Sequence, residues 1–294
     1  MKYFVCSDIH GDWKAFQKSI KACQYDKDNS NHQLIVIGDL FGRATDSSQD
    51  ILNLYYYLTK DVHVNTPIII HGNHENILEI AMKRGYCDSL DVYNGEDKTV
   101  AALGGVTRYE ARTHYGVQQA WEQHPEFVHW LESLPHYYET ENFIFTHGTL
   151  PLLWNNLDDA DEIVDDWRKA DAIDWVVAEW AETDEWIDKV ERCNCVDRLL
   201  NGKTLVFGHW GTFLLRGIED NIQPARGDCD IWFSADGHYI GLDGTTALSH
   251  QVNMLVIDET NGEECVVEVY PFNHTVIDTV SVDDLNSDTI CEEI

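Results

Sequence analysis

Short runs that are apolar at nearly every position recur in the first third of the chain, at residues 2–6, 34–37 and 68–70. Each run is followed by a glycine-containing loop and then by a segment whose apolar residues recur every three or four positions, as Trp13 and Phe16 do. A run without polar positions is typical of a strand buried on both faces, and the spacing that follows is typical of a helix. The pattern therefore predicts a parallel βαβ core in this part of the chain.

The rest of the chain is less regular. Runs at 142–145 and 204–207 predict two more buried strands, whereas residues 101–105 predict a turn. Residues 154–192 are dense in Asp and Glu and hold five of the ten tryptophans. Their apolar residues keep helical spacing, which predicts a helical insertion with an acidic outer face and tryptophans anchored on the core. We expect a single domain over residues 1–294, with this insertion and with an acidic, loosely packed tail at 277–294.

Polar side chains beside a glycine follow each predicted strand. Because the carboxyl ends of parallel strands lie at one edge of a sheet, we expect these side chains to converge there. Asp8 and His10 lie two positions apart in what should be extended chain, so their side chains should point the same way. The whole set comprises Asp8 and His10, Asp39, Asn73 and His74, His147, and His209.

This set offers oxygen and imidazole ligands without a thiolate, which suits manganese, iron or zinc and differs from a structural zinc site. One carboxylate between two groups of ligands could bridge a metal pair, an arrangement that recurs in displacement at phosphorus. Each residue also has an ordinary interpretation, with His147 as a hydrogen-bonded core histidine and Asn73 as a turn former. Those interpretations explain single residues more easily than five strand ends of one pattern.

The formal net charge of −32 narrows the choice of partners. Such a surface repels nucleic acid and anionic membranes, so we expect neither as a partner, while it concentrates cations. No segment of the 294 residues is apolar for long enough to span a membrane. The apolar N-terminus is interrupted at Asp8 and is too short for a signal peptide. A cytoplasmic protein is therefore expected.

The motifs at these strand ends together resemble those of a known superfamily. They are Asp8-Ile-His-Gly11, Gly38-Asp-Leu-Phe-Gly-Arg43, Gly72-Asn-His-Glu75, Thr146-His-Gly148 and Gly208-His209. The chain resembles the calcineurin-like metallophosphoesterases over residues 2–150 and 203–258. Within them it is similar to the serine/threonine phosphoprotein phosphatase group, which includes the symmetrical diadenosine tetraphosphatases. The resemblance implies an α/β fold, a four-layer αββα sandwich with metals at its carboxyl edge.

The resemblance also implies roles for individual residues. Arg43 would be catalytic and would bind the phosphoryl oxygens with Asn73, and His74 would be the general acid for the leaving group. Two divalent transition metals are implied, manganese in the first place and iron or zinc as alternatives. The first metal would be held by Asp8, His10 and Asp39, and the second by Asp39 as bridge, Asn73, His147 and His209.

Two positions depart from the family pattern. Gly42 stands where the family usually has an aspartate that pairs with the acid histidine. Either another carboxylate has taken its place, with Asp46 the nearest candidate, or His74 acts unassisted and an aspartate restored at position 42 should raise kcat on substrates with poor leaving groups. Gly211 stands where many phosphodiesterase branches have a second histidine, which favours the phosphatase-like branch.

The resulting expectation is a metal-dependent phosphatase that hydrolyses phosphoric monoesters through attack of a metal-bound hydroxide. Its substrate would be a phosphorylated small molecule or a phosphoprotein. Three alternatives stay open at this point. They are cleavage of dinucleoside polyphosphates, a metal-binding regulatory protein with weakened catalysis, and a structural domain with a histidine-rich edge.

Overall fold

The computed structural model describes residues 1–43, 46–152, 166–219, 227–260, 266–270 and 276–277. Its strands are β1 (Lys2–Cys6), β2 (His32–Ile37), β3 (Ile68–Ile70), β4 (Tyr137–Glu139), β5 (Phe143–Thr146), β6 (Thr204–Phe207), β7 (Gly227–Asp228), β8 (Trp232–Phe233), β9 (Tyr239–Gly241), β10 (Met254–Asp258), β11 (Val266–Tyr270) and β12 (Val276–Ile277). Its α-helices are α1 (Trp13–Ala22), α2 (Ser48–Thr59), α3 (Asn73–Arg84), α4 (Ser89–Asn94), α5 (Glu96–Gly104), α6 (Arg108–Ala111), α7 (His114–Gln123), α8 (Phe127–Glu132), α9 (Ala172–Glu179), α10 (Thr183–Arg192), α11 (Val196–Leu200), α12 (Thr212–Glu219) and α13 (Thr246–Ser249), with a 3₁₀ turn at Trp167–Lys169.

Two five-stranded sheets form the centre of the fold. The first has the order β11-β10-β1-β2-β3, in which β1, β2 and β3 are parallel. The second has the order β4-β5-β6-β9-β8, in which β5, β6 and β9 are parallel. The remaining strands of both sheets pair antiparallel with their neighbours. The predicted parallel βαβ core is therefore confirmed.

Alternate side chains of the central strands enter different cores, as the pleat requires. Val5 and Ile35, which are partners in register, pack between the sheets against Phe145 of the second sheet. Their neighbours Phe4 and Leu34 point outward and pack beneath the helices of the first half of the chain. A third core covers the outer face of the second sheet. This succession of helices, sheet, sheet and helices confirms the predicted four-layer αββα sandwich.

The acidic segment belongs to that outer helical layer. Helices α9 and α10 lie within it, and Trp167, Trp175 and Trp186 are buried with Leu205 and Phe207 of β6. Helical structure and tryptophan anchors are thus confirmed for the described part of this segment. Residues 153–165 and 278–294 lie outside the described residues, so the full extents of the insertion and tail stay predictions.

The turn predicted at residues 101–105 was wrong, because these residues close helix α5. The two glycines that suggested a turn serve helix packing and termination instead. A Cβ added at Gly104 would lie 3.1 Å from Ala120 N, so the bare glycine lets α7 pack closely against α5. Gly105 then ends the helix at φ +60°. In the described part of the chain, none of the helices combines the length and apolar character needed to cross a membrane.

Candidate metal centre and active site

The carboxyl ends of the parallel strands meet at one small cavity of about 50 Å³. All the predicted site residues lie in or against it, and Asp243, which follows β9, joins them. His147 contacts Asp39 at its inner wall, with 3.2 Å between Nε2 and Oδ1. The residues that line the cavity include Asp8, His10, Asp39, Arg43, Asn73, His74, His209 and Asp243.

The backbone at this edge is left-handed rather than extended. Asp8 and His10 have φ values of 51° and 49°, and Asp39 and His209 have values of 51° and 61°. Non-glycine residues seldom adopt this conformation, and it concentrates at functional sites. The expectation that Asp8 and His10 share a side because the chain is extended was therefore wrong in its reason. The loops turn sharply at each strand end and direct both side chains into the cavity.

Asp39 lies between two groups of imidazoles. Its Oδ1 is 3.2 Å from His147 Nε2, and its Oδ2 is 3.8 Å from both His10 Nε2 and His74 Nε2. Ligand atoms of His10, Asp39 and His74 lie within 4.8 Å of one another, as do those of Asp39, His147 and His209. One carboxylate therefore presents a different oxygen to each side of the cavity.

Backbone carbonyls set the orientation of two of these imidazoles. His10 Nδ1 donates to Phe41 O and His147 Nδ1 donates to Ile37 O, both at 2.9 Å. Because a carbonyl only accepts, the proton is placed on Nδ1 and the Nε2 lone pair faces the cavity. Such hydrogen bonds orient histidine ligands in metal sites.

The other predicted ligands connect the two sheets. The side-chain amide of Asn73 lies 2.8 Å from His147 Nε2 and 3.1 Å from His209 Nδ1. The Asp8 carboxylate accepts the backbone N–H of His209 at 3.0 Å, which ties the end of β1 to the end of β6. Loops from both sheets are thereby held around one cavity.

Glu75 organises the first sheet's ligand loops without lining the cavity. Its fully buried carboxylate accepts the backbone N–H groups of Asp39 at 2.8 Å, Leu40 at 2.9 Å and Gly72 at 3.0 Å. These bonds hold the loop after β2 against the loop after β3. The sequence signal for it was its place in Gly72-Asn-His-Glu75, although no role followed from that motif alone.

His74 has a carboxylate partner that sequence reasoning missed. Glu96, fully buried at the start of α5, places Oε1 2.7 Å from His74 Nδ1. A Cβ added at Gly42 would lie 2.5 Å from His74 Nδ1 and 3.0 Å from Glu96 Oε1. The glycine therefore leaves room for the carboxylate of Glu96. Asp46, the candidate suggested by the sequence, is mostly exposed and faces Lys98 instead.

The charges of this cavity suit divalent cations. Burial and the charge of Asp243 raise the pKa of Asp8, and burial and the charge of Asp8 raise the pKa of Asp39. Burial, followed by the neighbouring imidazole of His209, lowers the pKa of His147. Closely spaced carboxylate, amide and imidazole donors thus lie in a buried site, where bound cations would relieve the carboxylate repulsion. The donors fit the implied metals in kind and in number.

A second buried cluster lies behind the ligand loops. Glu179, at the end of α9, lies 3.1 Å from His71 Nδ1 and 2.8 Å from His136 Nδ1 through its Oε1. The preceding carbonyl, Ala178 O, accepts the backbone N–H of Thr149 at 3.0 Å. The acidic segment is thus attached to the loops that hold Asn73 and His147, a connection without a local sequence signal.

Residues 1–238 match the family model for calcineurin-like phosphoesterases, and the chain belongs to that family. Membership confirms the suspected superfamily and, with it, an enzyme of the metallophosphoesterase class. Binding of metal as such also follows from the family, and the clusters described above could accept it. A search of the curated proteins gave no significant match.

Solved structures with the same fold include phosphatases. A serine/threonine phosphatase from Saccharomyces cerevisiae shares 16% identity, with a TM-score of 0.51 over 94% of this chain and 82% of that chain. A protein-tyrosine phosphatase of a psychrophilic Shewanella species shares 15% identity, with a TM-score of 0.50 over 94% and 80%. A protein described as a candidate diadenosine tetraphosphatase shares 14%, with a TM-score of 0.47 over 92% and 95%. At such identities the likenesses to the first two concern the fold alone.

Proposed function

We propose that this protein hydrolyses phosphoric monoesters with a pair of divalent metals, manganese in the first place and iron or zinc as alternatives. The observation that carries the proposal is the position of Asp39. Its two carboxylate oxygens face two separate groups of imidazoles across a cavity that several buried donors line. A carboxylate shared by two metals is the usual core of sites that catalyse displacement at phosphorus.

The chain supplies a complete ligand set for each metal. Asp8, His10 and Asp39 would hold the first, while Asp39, Asn73, His147 and His209 would hold the second. When bound, such metals neutralise phosphate charge and activate water for attack. His74 lies closest to the first group, and its bond to Glu96 favours a proton donor over a ligand.

The remaining residues act on the substrate directly. His74 would donate a proton from Nε2 to the departing oxygen, since its Nδ1 is engaged by Glu96 at 2.7 Å. Arg43 lines the cavity, and its Nη2 donates to Asn94 Oδ1 at 3.1 Å, which orients the guanidinium group. A planar guanidinium matches two phosphoryl oxygens, and Asn73 would contribute its amide to the same group. A phosphorylated small molecule or phosphoprotein is the proposed substrate, and the cytoplasm the proposed location.

Replacing Asp39 with asparagine tests the shared carboxylate. We expect Asp39→Asn to lose most of the bound metal and the manganese-dependent turnover of p-nitrophenyl phosphate together, because one residue serves both sites. Elemental analysis and turnover are measured on the same preparations, with Asp50→Asn as a control whose carboxylate lies 3.6 Å from Lys14 Nζ and does not line the cavity. Full metal occupancy in Asp39→Asn would refute the bridge. Metal binding by the wild-type protein without turnover of any phosphate ester would favour the regulatory alternative.

A further inference from the structure

A larger cavity of about 510 Å³ adjoins the metal centre. Arg43, His209 and Asp243 line both cavities, so the two are continuous. The wall away from the metal centre carries two cations, Lys98 and Arg108. A substrate whose reacting phosphoryl group lies at Asp39 would extend into this space.

The charge of this wall is opposite to that of the protein. The chain has a formal net charge of −32 with 20 Lys and Arg against 52 Asp and Glu. Arg43, Lys98 and Arg108 nevertheless converge on this one cavity, where they outnumber its two carboxylates, Asp46 and Asp243. Because such an acidic surface repels anions, a local group of cations is what an anionic substrate needs to bind here.

The structure fixes Arg108 in place. Its Nε and Nη2 lie 3.3 and 3.0 Å from the two carboxylate oxygens of Asp97, which is fully buried. Arg112 binds the same carboxylate, with 2.8 Å between Nη2 and Oδ2. The third guanidinium nitrogen of Arg108, Nη1, is directed to Asp46 at 3.6 Å. Asp97 therefore orients Arg108 and leaves Nη1 on the side of the cavity.

Lys98 contacts Asp46 as Arg108 does. Its Nζ donates to Arg43 O at 2.6 Å and lies 3.2 Å from Asp46 Oδ1. One exposed carboxylate, with 78% of the Asp46 side chain accessible, is thus the partner that both cations share. An anionic oxygen of a ligand can replace this carboxylate at low cost, because exposed ion pairs contribute little stability.

We propose that Lys98 and Arg108 bind a second phosphoryl group of a small-molecule substrate, next to the phosphoryl group that reacts. This rests on the proposed phosphatase function and specifies its substrate class. Monoesters that carry a second phosphoryl group near the reacting one are preferred over simple monoesters, and a compound with two linked phosphoryl groups can serve as a probe of binding. Asp46 opposes such binding by its charge, and Lys98 and Arg108 favour it.

The test compares the binding of ADP and AMP, which differ by one phosphoryl group, by calorimetry with the manganese-loaded protein. We expect wild type to bind ADP more tightly than AMP, and Arg108→Gln to reduce this preference about tenfold, as for loss of a charge-assisted hydrogen bond. Asp46→Asn should increase the preference. Arg112→Gln is the matched control, because Arg112 binds the same buried Asp97 and does not line the cavity.

Each outcome bears on the proposal. A wild-type protein that binds the two nucleotides equally, or an Arg108→Gln variant that weakens both by the same factor, would overturn it. So would an equal effect of Arg112→Gln, since the loss would then act through Asp97. The binding assay needs no turnover, so a protein that prefers ADP and fails to hydrolyse any ester would disprove the proposed function and leave this subsite standing.

Discussion

Removing the carboxylate of Glu96 should weaken hydrolysis most where the leaving group needs a proton. The bond of 2.7 Å to His74 Nδ1 fixes the imidazole and leaves Nε2 directed into the cavity, 3.8 Å from Asp39 Oδ2. A hydrogen bond to a charged group contributes about 1.5–3 kcal/mol. If that orientation is needed in the transition state, its loss corresponds to about a 10- to 150-fold lower rate.

The assay separates the positioning of a proton donor from general damage. p-Nitrophenolate departs without a proton, whereas the alkoxide of glycerol phosphate needs one. We expect Glu96→Ala to lower kcat on glycerol phosphate by the factor given above, with little change in KM, and to lower kcat on p-nitrophenyl phosphate only a few-fold. Glu96→Gln should lie between Glu96→Ala and wild type, because its amide oxygen can still accept a hydrogen bond from Nδ1.

Metal content and melting temperature, measured for each variant, serve as the controls. Equal losses on both phosphate esters would show that Glu96 acts on the metal centre or on the fold as a whole. An unchanged rate on glycerol phosphate in a folded, metal-loaded Glu96→Ala variant would refute the positioning of His74.

The same geometry reverses the sequence-based expectation for Gly42. An aspartate there was expected to raise kcat, but its Cβ would lie 2.5 Å from His74 Nδ1, where the carboxylate of Glu96 is already the partner. Gly42 also has a φ of +98°, which costs a non-glycine residue on the order of 1–3 kcal/mol. Gly42→Asp should therefore lower both activity and melting temperature. Activity above wild type would contradict this account.

Two further substitutions test the supports behind the centre. Glu75→Gln should lower the free energy of unfolding by about 1–3 kcal/mol and reduce metal content, because one of the two acceptor oxygens becomes an amide nitrogen, which cannot accept from the backbone N–H groups that this oxygen binds. Glu79→Gln on the same helix, where the carboxylate binds the surface Lys83, is the control, and equal effects would contradict the claim. Glu179→Gln should lower the melting temperature and weaken metal retention, since it removes a buried charge between His71 and His136. Exposed Glu185→Gln in the same segment should change neither, and a Glu179→Gln variant as stable as wild type would show that the cluster does not attach the segment.

The strand ends could be predicted because their signals are local. A buried strand, a glycine and a polar residue such as Asp39 or His147 follow one another within a few positions. The parallel sheet then brings polar residues from different strand ends together at one edge. Asp243 was within reach of the same reasoning, since it follows β9 in Leu242-Asp-Gly244. The strand signal before it is weak, because a glycine ends the short apolar run at Tyr239–Gly241.

The supporting contacts could not be predicted because they are tertiary. Glu96 lies 22 residues from His74 along the chain, and Glu179 lies 108 residues from His71. A buried glutamate differs in no local way from a solvated one in an acidic sequence. The wrong turn at residues 101–105 also hid the position of Glu96, because helix α5, which begins at this residue, was not predicted.

Helix α5 contacts both the proposed general acid, His74, and the larger cavity. Its first residue, Glu96, binds His74, and two positions later Lys98 binds the carbonyl of Arg43 and faces the larger cavity. Gly42 and Glu96 are thus two parts of one arrangement, in which a helix supplies the carboxylate that the loop lacks. The glycine that suggested weakened catalysis is, in the folded chain, the condition for Glu96 to reach the imidazole. The departure at Gly42 therefore no longer argues for a regulatory protein over a phosphatase.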